Sequence, residues 1–141
     1  MPDDKNIPDQ AILYRYVKPS VLPDGQSELP TSIFNDTELS CDWSAIQNQP
    51  ENSLHVKSGK NLLVSIAVCD SIRNPTNPRR TGVVVPAWAQ QIVHDPLEEK
   101  EGDPFTPNPA HSLIKGSKKG AVTDAIRNCS TYQLLPLPSS D

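Results

Sequence analysis

Proline constrains this chain more than any other residue. It fills 15 of 141 positions, about 11% where about 5% is ordinary. Each proline fixes φ and lacks an N–H donor, so helix interiors and central strands reject it. A helical bundle or a long coiled coil is therefore excluded. Hydrophobic residues make up 35% and aromatics 5%, enough for one modest core in a chain of this length. The expectation is a single α+β domain spanning residues 10–135. It has a small, largely antiparallel sheet, one main helix near the C-terminus and long proline-rich loops. Residues 1–9 and 136–141 read as flexible tails.

Charge narrows the function classes. There are 17 acidic and 13 basic side chains, a formal net charge of -4, and the segment Asp95 to Asp103 holds five acids and one lysine. That segment alone accounts for -4, so the remainder balances. A globally basic nucleic-acid binder is disfavoured, and only a local basic patch is left for such a role. The N-terminus MPDDKNIPDQ has no basic stretch followed by an apolar run, and no segment approaches 18 apolar residues. A cytoplasmic protein with no membrane partner is the expectation. Cys41, Cys69 and Cys129 are odd in number and far apart in sequence. No two have C-x-x-C spacing, so three reduced thiols are expected rather than a disulfide framework or a zinc site.

The pattern along the chain places the elements. Ala11 to Val17 is β-prone with two substantial faces: Leu13, Arg15 and Val17 alternate with Ile12, Tyr14 and Tyr16. Pro23-Asp24-Gly25 reads as a turn. Ser32 to Phe34 and Glu38 to Trp43 are short strands or irregular segments, and Leu54 to Val56 is an edge-strand candidate. The run NLLVSIAVC, Asn61 to Cys69, is the strongest buried-strand signal. Asp70 to Arg73 starts a helical turn that Asn74-Pro75 stops. Gly82 to Val85 and His111 to Lys115 read as strands, and Trp88 to Val93 as a strand or a helical turn. Lys118 to Cys129 carries the clear helical stripe, with Ser117 as its cap. Tyr132 to Leu135 is a final strand candidate.

No complete nucleotide, metal or hydrolase motif is present. Ser58-Gly59-Lys60 lacks the glycine and hydroxyl of a phosphate loop. His94, Asp95, Asp103 and His111 have no spacing that fixes a common face, so no metal and no cofactor are expected. His111 follows Asn108-Pro109-Ala110 and starts a strand. It reads first as a brace tying the proline loop to the sheet and second as a general acid or base. Arg15, inside an apolar strand, needs a partner, for which Asp42 and Asp70 are candidates. Lys115, Gly116, Lys118, Lys119 and Gly120 form a strand–turn–helix connection, where two ammonium groups and free N–H groups can make an anion pocket.

Three segments carry a resemblance: LYRYVKP, PTSIFNDTELSCD and NPAHSLIKGSKKG. They resemble a family of small uncharacterised bacterial proteins with an LxRR-like opening, an SSAAF…LSV-like middle and an NPAHxxIxGKK-like end. Tyr16, Thr31 and Cys41 depart from that pattern. The resemblance implies a compact bacterial cytosolic domain in which Arg15, Ser32, Ser40 and His111 meet in space. It implies no activity.

Two functions follow as expectations. The first is a non-enzymatic interaction or accessory module of a larger bacterial system, whose partner is another protein. Proline-rigid loops lose little entropy on docking. The alternative is a small enzyme or binding protein acting on a phosphate-bearing ligand, a nucleotide or RNA. There His111 is the acid or base, Arg15 and Lys118 hold the anion, and Ser40 is a further candidate of the site.

Overall fold

The structure, a computed structural model, describes residues 7–22, 27–80 and 82–137. The Pro23-Asp24-Gly25 turn lies outside the described residues. The chain forms a mixed α+β fold around one six-stranded antiparallel sheet. Its strands are β1 (Ile12–Val17), β2 (Glu38–Trp43), β3 (Leu62–Ala67), β4 (Gln91–His94), β5 (His111–Lys115) and β6 (Ser130–Leu134). Its helices are α1 (Leu54–Lys57), α2 (Asp70–Arg73) and α3 (Gly120–Asn128). The strand order is β4-β5-β2-β1-β3-β6, so β1, whose two substantial faces suit a central or a half-covered strand, is interior between β2 and β3.

Alternation in each strand builds a large core on one face. Leu13 and Val17 of β1 lie beside Leu39 and Cys41 of β2 and Leu62, Val64 and Ile66 of β3, all buried. Val122 and Ile126 of α3, Ile72 of α2, and Ile33 and Phe34 cover them. The NLLVSIAVC run behaves as its composition demands: Val64 and Ile66 are 0% exposed and Val68 1%. The packed chain also reaches back to Ile7, inside the segment expected to be a tail. Ile7 is fully buried, and its N–H bonds the Ile92 carbonyl at 3.0 Å. The Arg73 guanidinium holds the Ile7 carbonyl and the Asp9 carboxylate.

The opposite face carries a smaller cluster of Tyr16, Val56, Leu63 and Leu135. Val56 comes from α1, where an edge strand was expected. The reason is local: Ser53 at the N-cap accepts the His55 N–H, and the capped turn drops Val56 onto the sheet. Ser32 to Phe34 lies in a 3-10 turn, Thr31–Phe34. Of the strand expected at Gly82 to Val85, one isolated bridge is present, Thr76 with Val84. Pro75, Pro78 and Pro86 crowd that hairpin and leave little ladder to extend.

The connection from β5 to α3 also differs from expectation. The helix starts at Gly120, and Lys119, not Ser117, stands at the N-cap, without a side-chain cap bond. The Ser117 carbonyl is occupied by the Gln90 side-chain amide at 2.8 Å. Gly116 has φ +147°, and a Cβ there would lie 2.6 Å from Gln90 Nε2 and 2.8 Å from the Ala89 carbonyl oxygen. Only glycine lets this turn close on Gln90. Among the described residues, no helix is long and apolar enough to cross a membrane.

Candidate functional site

β1 and β2 register at only two positions, Leu13 with Trp43 and Tyr14 with Asp42, whereas β1 and β3 register along six pairs. Beyond Tyr14 the β1–β2 ladder lapses, and a cleft of about 70 Å³ lies there. It is lined by Arg15 and Tyr16 of β1, Ser40, Cys41 and Asp42 of β2, His111 of β5, and His55 and Lys60 from around α1. The Arg15 guanidinium takes the place of a ladder partner: Nη1 donates to the Ser40 carbonyl at 3.2 Å.

A row of polar side chains crosses three strands at the cleft floor. Asp42 pairs with Tyr14 on one side and His111 on the other, so these residues share a face. Asp42 is 4% exposed. Its Oδ2 accepts from the Tyr16 hydroxyl and its Oδ1 from the Asn108 amide, both at 2.9 Å. Two donors thus satisfy a buried carboxylate that would otherwise be costly. Burial first, and the Asp42 charge second, push the Tyr16 phenol far above its usual pKa. Tyr16 is a fixed donor. Cys41, fully buried, is pushed up to about 12 and has no nucleophilic role at neutral pH.

His111 Nδ1 lies 3.0 Å from the Asp95 carbonyl oxygen and 3.1 Å from Asp95 Oδ2. A carbonyl only accepts, so Nδ1 carries the proton and the neutral ring keeps Nε2 as its basic nitrogen. The same contacts brace the β5 start against the acidic loop and leave Nε2 outside that brace. His94 ties the proline loop directly, its Nε2 2.6 Å from the Pro109 carbonyl.

His55 stacks on Tyr16 at 5.4 Å and on Phe105 at 4.3 Å between ring centroids. Burial holds its pKa below the ordinary histidine range. His55 and Asp42 also border a second hollow of about 160 Å³, which continues under Phe105 and Asn108. A larger hollow of about 800 Å³ is the inner curl of one acidic loop, Glu99 to Thr106. It gathers groups from no other element and forms no constellation.

Arg15, Ser40 and His111, three sequence candidates, line the same cleft. Ser32 is exposed on its 3-10 turn and is not among the lining residues. Arg15 pairs with neither expected acid. Its Nη2 is 3.8 Å from Asp36, while Asp42 serves Tyr16 and Asn108, and Asp70 accepts from Asn74. Arg15 Nε is buried without a hydrogen-bond partner.

The Lys115 to Gly120 segment contributes less than its composition suggests. Lys118 turns inward, its Nζ donating to the carbonyls of Ile114 at 2.8 Å, Gly116 at 3.0 Å and Thr37 at 3.4 Å. All three ammonium protons have backbone acceptors, and burial lowers the pKa to about 8. Lys115 lies in β5 opposite Glu38 and Gln91, and Lys119 and Gly120 are exposed.

Sequence reasoning did not single out Tyr16, His55, Lys60 or Asn108 for the site. Strand alternation already places Tyr16 on the face opposite Leu13 and Val17. Nothing in the sequence brings α1 across that face. Comparisons with protein-family models, curated proteins and solved structures find no match for this chain.

Proposed function

We propose that this protein binds a phosphate-bearing ligand, a nucleotide or RNA, in the β1–β2 cleft and uses His111 Nε2 to move a proton on it. The observation that carries this reading is the convergence of Arg15, with its unpartnered buried Nε, and His111, with Nδ1 already engaged, on one small cleft. A cleft of about 70 Å³ admits a small polar group such as a phosphate rather than a whole nucleotide. Lys60, exposed at the rim, adds a second cation. Arg15 suits an anion's planar, bidentate recognition. The adjoining hollow beside His55 and Phe105 leaves space for the rest of the ligand. Arg15, Ser40 and His111 come from the three segments that carry the family resemblance.

Inorganic phosphate and a nucleoside monophosphate are expected to raise the melting temperature, more strongly at low salt. Arg15→Gln is expected to abolish the shift. His111→Asn keeps a donor toward Asp95 but removes Nε2, so it retains ligand protection and loses turnover of an RNA or nucleotide phosphate ester. No protection of the wild type by either anion overturns the reading.

A second reading has its own observation. Leu54 and Phe105, 47% and 38% exposed, line an apolar hollow of about 260 Å³ with Lys57, Ser58 and Pro104. Such a surface beside the cleft suits an accessory module that docks on another protein. Leu54→Ser with unchanged phosphate protection separates the two.

A further inference from the structure

Cys69 and Cys129 are 60 residues apart in sequence, yet their sulfurs lie 2.9 Å from one another. Cys69 follows β3 and precedes α2, and Cys129 links α3 to β6. The Ala67 N–H bonds the Cys129 carbonyl at 2.9 Å, which locks the two backbones side by side. Ser71 Oγ is 3.0 Å from Cys69 Sγ and 3.6 Å from Cys129 Sγ. Both cysteines are half-buried free thiols, unlike the fully enclosed Cys41. We propose that Cys69 and Cys129 form a thiol–disulfide exchange site that takes a low-molecular-weight disulfide as its reactant and closes to an intramolecular bridge.

The two thiols are not equivalent. Burial would raise the Cys69 pKa. Hydrogen bonds from Cys129, from the Ser71 hydroxyl and from the Ile72 and Ser71 backbone outweigh burial and hold it below the ordinary thiol value. Burial and the hydrogen bond given to Cys69 push Cys129 up. Cys69 is thus the attacking thiolate and Cys129 the resolving thiol. The Cys69 thiolate forms a bond to one sulfur of RS–SR, and RS⁻ leaves and takes a proton from water. Cys129 then gives up its proton and attacks Cys69 Sγ, and the second RS⁻ leaves. The protein loses two hydrogens and two electrons as a dithiol, and RS–SR is reduced to two RSH. Closure needs the sulfurs to move from 2.9 Å to the bonded distance of about 2.05 Å.

The test uses the full chain and oxidised glutathione. Peptide mapping after an acid quench is expected to show a Cys69–Cys129 link, an intact-mass loss of two hydrogens, and Cys41 as the remaining thiol. Reduced glutathione in excess restores all three thiols. Cys129→Ser is expected to trap one glutathione on Cys69, whereas Cys69→Ser leaves Cys129 largely unmodified. Iodoacetamide mapping of the wild type, which needs no variant, should label Cys69 before Cys129. Three unreacted thiols, a lasting glutathione adduct on the wild type, or a bridge through Cys41 overturns the proposal.

Discussion

His55 shows how one side chain couples stability to pH at this site. Its imidazole is sandwiched between Tyr16 and Phe105, and burial favours the neutral ring. The unfolded chain therefore takes up a proton near the ordinary histidine pKa of about 6.5, before the folded chain does. Below that value the unfolded state holds more protons, so stability falls as pH falls through the folded pKa. The melting temperature is expected to drop between about pH 7 and about pH 5. His55→Phe keeps a ring in the stack and should show a shallower drop. Equal slopes for both proteins would remove His55 from this role. Tyr16 differs in kind: its pKa lies so high that it stays a donor to Asp42 throughout.

The β5–α3 connection illustrates how an element can spend the chemistry its sequence advertises. Two glycines and two lysines read as an anion cradle. In the fold, Lys118 satisfies backbone carbonyls at the end of β5, and Gly116 provides the positive-φ turn that Gln90 packs against. Lys118→Met keeps the stem but leaves those carbonyls without their donor. It is expected to cost about 1–3 kcal/mol in denaturant unfolding. Lys119→Gln, at an exposed position, should stay within about 0.5 kcal/mol. If both variants unfold alike, Lys118 is not a structural donor.

Across the whole molecule, the sheet separates a large core from a small one, and the cleft lies with the small one. Ile66 is enclosed by the main cluster, while Leu63 belongs to a cluster of four buried residues under α1. Ile66→Ala is expected to cost about 2–5 kcal/mol. Leu63→Ala should cost less, because fewer neighbours hold its cavity open. It should perturb phosphate protection more than Ile66→Ala does, since Leu63 packs with Tyr16. The reverse ranking, measured at constant m-value, would mean that the cleft depends on the main core instead.

Local chemistry determined much of this. Alternation in Leu13-Tyr14-Arg15-Tyr16-Val17 and β-branching in NLLVSIAVC specify strands and their apolar faces, because a strand's period of two is written residue by residue. Asn74-Pro75 ends α2 for an equally local reason. What the chain pattern does not contain is strand order. β2 inserts between β1 and β5, and only that order sets Asp42 beside His111 and Arg15 over Ser40. A second long-range pairing, β3 with β6, brings Cys129 to Cys69, which sequence spacing keeps apart. Leu54 to Val56 became a helix because its Ser53 cap and the apolar face of Tyr16 and Leu63, which Val56 covers, rewarded it together, a tertiary term that outweighs weak β-propensity in a three-residue run. Lys118 points inward for a related reason: the carbonyls of Thr37, Ile114 and Gly116 come within reach of one ammonium group only once β5 has paired with β2.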